Sequence, residues 1–125
     1  MLVDLLLQQE RVAETLGLRG RQQQMLLEAH ALAALGDIWR AQGQLDSAAL
    51  CFEQSLALRQ AIGDQGGEGW MQHRLAETHA AMGTAADTRQ AAAAGSALAA
   101  ACGDEELARA CGQLRIPGPV SPRKD

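Results

Sequence analysis

The sequence matches itself at a shift of forty residues, and this repeat constrains the fold more than any other feature. Gly36 falls on Ala76, another small residue. Repeats of this length are typical of stacked helical hairpins. The identities at this shift include Leu35 with Leu75, Ala41 with Ala81, Gly43 with Gly83, Ala57 with Ala97, Leu58 with Leu98, Ala61 with Ala101, Gly63 with Gly103, and Asp64 with Asp104.

The composition favours helices over strands. The 125 residues include no Tyr, one Phe and three Pro, and they are rich in the helix formers Ala, Leu, Gln and Glu. We therefore expect an all-α fold. The net charge is −4, without the basic stripe of a nucleic-acid surface, and no apolar stretch approaches the ~18 residues of a membrane span. We expect a soluble, cytoplasmic protein that has no membrane span and does not bind nucleic acid.

The spacing of apolar residues predicts six helices. They span residues 2–15, 21–42, 45–62, 68–82, 85–102 and 104–114, with the Gly-rich stretch 63–69 as a connector. The helical domain is expected to cover residues 1–115, as a half repeat (1–18), a well-matched repeat (21–62), a degraded repeat (68–102) and a capping helix (104–115). Residues 116–125 hold all three prolines and are expected to be a disordered tail. Modification of Ser121, in "SPRK", is left open.

Two glycines lie in or beside the second predicted helix, and each has a separate explanation. Gly36 is expected to be a small-residue position where two helices approach closely, whereas Gly43 fits the left-handed position that ends many helices. The apolar face of this helix is expected to be buried. It includes Met25, Leu26, Leu32, Leu35, Ile38 and Trp39. Cys51, Cys102 and Cys111 lack CxxC spacing and are interpreted as small buried hydrophobes.

The residues 29–64 resemble the tetratricopeptide repeat family. Leu35-Gly36, Trp39, Gly43, Ala48 and Phe52 match its signature in order and spacing. In the next unit Leu75, Ala76 and Gly83 fit, whereas His79, Thr88 and Ala92 replace the aromatic, the Ala and the Phe. The forty-residue spacing is similar to the longer-linker subgroup of rapsyn-like and G-protein-linked adaptors. The resemblance implies antiparallel helical hairpins stacked as a short right-handed solenoid.

The resemblance also implies a concave groove lined by the first helix of each hairpin, which binds a peptide or partner helix. Its groove positions would be His30, Asp37 and Arg40 from the second helix, and Trp70, His73, Arg74 and Glu77 from the fourth. Acidic Asp37 and Glu77 argue against an acidic partner and favour a mixed or basic one. Two alternatives stay open: Trp70 packs on the connector or on a neighbouring helix, and the charged residues are solvated or paired within one helix.

No motif indicates catalysis, a cofactor or a metal. In "HRLAETH" (73–79) the two histidines are six residues apart and point in different directions, unlike the pair in HExxH. The sequence therefore predicts a non-enzymatic scaffold or adaptor module. The alternative is a purely structural segment or cap of a longer array without its own ligand. Self-association through the exposed faces of the terminal hairpins is also left open.

Overall fold

The computed structural model describes residues 2–117, in which six helices follow one another. No strand occurs within this range, so the expected all-α class is confirmed for it. Consecutive helices pack together, most extensively α2 with α3 and α4 with α5; the short links between them make these pairs antiparallel. The helices are α1 (Leu2–Thr15), α2 (Arg21–Ala41), α3 (Leu45–Ile62), α4 (Gln65–Met82), α5 (Ala85–Cys102) and α6 (Glu105–Gly112).

Glycines in the left-handed conformation separate the helices at intervals of twenty residues. Gly43, Gly63, Gly83 and Gly103 have φ angles of +80°, +74°, +81° and +69°, which only glycine adopts without strain. The helices α3, α4 and α5 that lie between them are each 18 residues long. The second copy of the forty-residue repeat therefore contains two helices of equal length, α4 and α5, whereas α2 in the first copy has 21 residues. Gly43 has the left-handed conformation that the sequence predicts.

The stretch expected to be a connector is mostly helical, because α4 begins at Gln65 rather than at Glu68. The Asp64 carboxylate accepts a hydrogen bond from the Gly67 N–H at 3.0 Å, which satisfies a free donor in the first turn of α4. Gly69 is a contact site: a β-carbon there would lie 2.5 Å from Leu107 of α6. The helix α2 ends one residue before the expected boundary, and α6 two residues before its own.

The larger core lies between α2, α3, α4 and α5. Its largest member, Phe52, is fully buried and lies against Gly36. A β-carbon at Gly36 would be 2.6 Å from Cε1 of the Phe52 ring, so a side chain there would displace the ring. Trp39, Leu56 and Leu114 pack against this core while partly exposed. Its buried members are Ala33, Ala48, Ala49, Phe52, Met71, Leu75, Ala76, Ala91 and Ala92.

A smaller core joins α6 to α4 and α5, which form the second helical hairpin after that of α2 and α3. It consists of Ala99, Leu107 and Cys111, with Trp70 packed against it. Gly69 of α4 and Gly95 of α5 provide room for this helix. A β-carbon at Gly95 would lie 2.8 Å from Cys111 Sγ, and a β-carbon at Gly69 would lie too close to Leu107 in the same way. Small residues on α4 and α5 thus form the seat of α6.

Leu35 and Ile38 are not buried as the sequence analysis expects. They are 42% and 53% exposed, whereas Leu26 on the same helix is fully buried. The reason is that an apolar face of a helix is buried only where a neighbouring helix covers it, and α1 contacts α2 far less than α3 does. The expected packing role of Leu35 is therefore corrected to a position on the exposed side of α2.

The cysteines divide in the same way. Cys51 and Cys111 are buried and free, as expected, but Cys102, the last residue of α5, is exposed and free. Burial raises the pKa of the Cys111 thiol, and a hydrogen bond with Ser96 lowers it to a smaller extent.

Most of the predicted disordered tail, 116–125, lies outside the described residues, and so does Ser121. Ile116 and Pro117 are described and belong to no helix. None of the helices in residues 2–117 combines the length and apolar character needed to cross a membrane.

The contact of Gly36 with Phe52 leads to a stability prediction. Gly36→Ala should lower the free energy of unfolding by about 1–3 kcal/mol, because the methyl group overpacks a buried ring, and Gly36→Leu should lower it further. Urea unfolding followed by circular dichroism measures both variants.

Gly66→Ala is the matched control, because a β-carbon at Gly66 meets no atom within 4 Å. It should be neutral or stabilising by up to about 1 kcal/mol, as expected for Gly to Ala in a helix. Equal stabilisation by Gly36→Ala and Gly66→Ala would contradict the close approach.

Candidate functional site

Ion pairs connect the first helix of one hairpin to the first helix of the next. Arg40 Nη1 of α2 donates to Glu77 Oε1 of α4 at 3.0 Å, and Arg74 Nη1 of α4 donates to Asp37 Oδ1 of α2 at 2.5 Å. The backbones of α2 and α4 are packed much less closely than those of α2 and α3, so these long side chains span the space between them. We call these four residues the α2–α4 charge ladder.

The ladder places opposite charges in opposite order on its two helices. On α2 an acid precedes a base by three residues, and on α4 a base precedes an acid by three residues, a spacing that keeps each pair on one helix face. The four side chains are 34–41% exposed. The sequence left open that these residues are solvated or paired within one helix. All four pair between helices while staying accessible to solvent, and Glu77 also lies near His73 of its own helix.

Arg74 links the ladder to the core. Its guanidinium carbon lies 6.0 Å from the centre of the Phe52 ring, within the range of a cation–π interaction. Its Nε is buried without a hydrogen-bond partner in the described chain. Arg74 is therefore positioned by both the ring beneath it and the carboxylate of Asp37.

His73 and Trp70 lie beside the ladder on α4. His73 Nδ1 is 3.6 Å from Glu77 Oε1, and its ring meets the Trp70 ring edge-to-face at 5.7 Å between centroids. Trp70 Nε1 donates to Asp104 Oδ2 at 3.1 Å, and its ring packs against the small core beneath α6. Trp70 thus contacts a neighbouring helix, which is the alternative that the sequence analysis left open.

His30 belongs to a different cluster, away from the ladder. Arg59 of α3 donates from Nε to Ser55 Oγ at 3.2 Å, from Nη1 to Asp64 Oδ2 at 2.9 Å, and from Nη2 to His30 Nδ1 at 3.3 Å. Ser55 Oγ in turn donates to the Ala29 carbonyl of α2 at 2.8 Å. We call His30, Ser55, Arg59 and Asp64 the Arg59 junction, since it joins α2, α3 and the start of α4.

The Arg59 junction is buried and nearly saturated with hydrogen bonds. Arg59 and Asp64 are 5% and 9% exposed, and each Arg59 nitrogen has a partner. Removing one partner of such a pair leaves an uncompensated buried charge, which costs far more than an exposed pair gains. Burial lowers the pKa of His30, the adjacent Arg59 guanidinium lowers it further, and Asp64 raises it by a smaller amount.

Sequence reasoning missed Arg59, Ser55 and Asp64 as a unit. The signal that was present is the pair Gly63-Asp64, repeated as Gly103-Asp104. Both aspartates cap a helix, since Asp104 accepts from the Leu107 N–H at 3.0 Å as Asp64 does from Gly67. Their second oxygens take different donors, Arg59 in one case and Trp70 in the other.

Among residues 2–117, no group of three or more His, Cys, Asp or Glu side chains is arranged to hold a metal ion. Comparison of the chain with protein-family models, with curated proteins and with solved structures gave no match in any of the three.

The charge ladder predicts a compensating charge exchange. Asp37→Lys alone should lower the free energy of unfolding by about 0.5–1 kcal/mol, because it places a cation against Arg74 at a half-exposed site. Adding Arg74→Glu should restore part of this loss, as measured by urea unfolding in low salt.

Glu53→Lys combined with Arg74→Glu is the control, because Glu53 is exposed on α3 and makes no ion pair in the described chain. That combination should show no restoration. If the effects of Asp37→Lys and Arg74→Glu simply add, the two side chains do not interact in solution.

Proposed function

We propose that the protein is a non-enzymatic interaction module that binds a peptide or a partner helix in the groove between α2 and α4. The observation that carries this proposal is the charge ladder, which is half-exposed on the adjacent first helices of two hairpins. Binding sites need polar groups that a ligand can reach and that a rigid scaffold positions. The ladder satisfies this need, because Arg74 is held by Phe52 and by Asp37.

The partner that suits this groove carries charges of both signs. The ladder is neutral as a whole, since two arginines are paired with two carboxylates. A strongly acidic or strongly basic segment would have to break both pairs and leave like charges facing each other, which is unfavourable. A segment with alternating charges can instead exchange ion pairs with the ladder one by one.

The proposal includes a tetratricopeptide-like arrangement, in which the hairpins α2–α3 and α4–α5 stack as a short right-handed solenoid. It is supported by the equal lengths of α3, α4 and α5, by the left-handed glycines every twenty residues and by the contacts between consecutive helices. Three free cysteines suit a reducing compartment such as the cytoplasm.

A second candidate function is structural: the chain extends or caps a longer array without a ligand of its own. The observation that favours it is the seating of α6, whose Leu107 is fully buried against the glycines of α4 and α5. At the opposite end, Leu35 and Ile38 expose apolar surface on α2, where another hairpin or a second copy of the chain would find a contact.

Affinity capture from cell extract, followed by mass spectrometry, tests the groove. The variant Asp37→Arg/Glu77→Arg reverses both ladder carboxylates and should lose the proteins that the wild type retains. Glu28→Arg/Glu53→Arg makes the same change of charge at exposed sites and should retain them. Circular dichroism establishes that all three proteins keep their helical content.

Identical capture by the three folded proteins would show that the ladder is the wrong surface. Capture of nothing by a folded, monomeric wild type would contradict the interaction module and favour the structural candidate. Sedimentation velocity supplies the oligomeric state for that comparison and detects self-association.

A further inference from the structure

The Arg59 junction holds His30 in one protonation state. Arginine only donates hydrogen bonds, so His30 Nδ1, which lies 3.3 Å from Arg59 Nη2, must accept. The ring is then neutral, with its hydrogen on Nε2. That Nε2 is buried and has no hydrogen-bond partner in the described chain, so no acceptor at Nε2 would stabilise the charged ring.

A proton on Nδ1 would place two donors and two positive charges against each other. The hydrogen bond from Arg59 would be lost, while Arg59 itself is tied to Ser55 and Asp64 and cannot turn away without breaking those bonds. To relieve the repulsion, His30 and the N-terminal half of α2 would therefore have to move, rather than Arg59.

The charged groups around His30 do not offset this repulsion. From α3 it faces Arg59, and the carboxylate that acts on it is that of Asp64, at the start of α4. That carboxylate already accepts from Arg59 and from the Gly67 N–H. On α1, the charged residue that lines a cleft together with Asp64 is Arg11, which is a cation.

We propose that the Arg59 junction is a proton-sensitive joint. Protonation of His30 in mildly acidic solution breaks its bond to Arg59 and loosens the contact of α2 with α3 and with the start of α4. The joint connects the two hairpins whose first helices carry the charge ladder, so its opening changes the spacing of α2 and α4.

The direction of the pH dependence follows from proton binding. An unfolded chain takes up a proton on His30 near its ordinary pKa of about 6.5, whereas the folded junction takes it up only at lower pH, because burial and Arg59 depress the pKa. Between those two values the unfolded state binds more protons, so stability falls as the pH falls. One such group changes the unfolding equilibrium constant by at most about tenfold per pH unit.

Urea unfolding of the full chain between pH 7.5 and pH 5.5 tests the proposal. As the pH falls from 7.5 to 5.5, the unfolding constant of the wild type should rise. The unfolding constant of His30→Gln should rise less, because a glutamine oxygen accepts a hydrogen bond from Arg59 without titrating. The control is His79→Gln, which removes a histidine outside the junction and should keep the wild-type dependence. Parallel profiles for the wild type and His30→Gln would overturn the proposal.

A measurement on the wild type alone covers the case in which His30→Gln does not fold. The ring carbon signals of His30, followed by nuclear magnetic resonance, should titrate with a midpoint below 6.5, and the Arg59 Nε–H signal should shift with the same midpoint. A midpoint of 6.5 or higher, or an Arg59 signal that ignores the titration of His30, would overturn the proposal.

Discussion

The contact between Gly36 and the Phe52 ring sets the geometry on which the other features depend. Because Gly36 has no side chain, α2 approaches α3 until the ring lies against its backbone, where a β-carbon would be 2.6 Å from the ring. The same ring supports the guanidinium of Arg74 from α4 at 6.0 Å. The Phe52 side chain therefore packs α2 against α3 in the first hairpin and positions Arg74 of the second. The geometry of the charge ladder thus depends on the packing of the core.

The second hairpin reaches the same arrangement with smaller residues. At the positions forty residues after Gly36 and Phe52 it carries Ala76 and Ala92, both buried in the same core. Alanine buries little apolar area, and burial contributes roughly 25 cal/mol per Å². The hairpin compensates through α6, which enters the room left by Gly69 and Gly95. The seat of α6 is thus part of how an alanine-rich unit stays packed.

Much of the fold could be predicted from the sequence, because its signals are local. The ends of α3 and α5 are marked by glycines whose left-handed φ requires no information from the rest of the chain. The start of α4 could not be predicted from the sequence, because glycines 66, 67 and 69 are typical of a loop. Only the structure shows the cap at Asp64 and the contact of Gly69 with Leu107 that explain a helix there.

The candidate site could be predicted only as a set of positions. Periodicity places Asp37 and Glu77 on helix faces, but whether they pair between helices depends on how α2 and α4 are spaced. The exposure of Leu35 depends in the same way on how little α1 covers. The Arg59 junction lay beyond sequence reasoning, because its members are up to 34 residues apart and come from three elements.

The proton contacts of Gly36 test the account most directly. Phe52 is the single phenylalanine of the chain, so nuclear Overhauser effects to its ring are unambiguous. The account predicts strong effects between the ring protons and the α-protons of Gly36, together with an upfield ring-current shift of one α-proton. A Gly36 with ordinary shifts and no effect to the Phe52 ring, in a protein that is helical and folded, would contradict it.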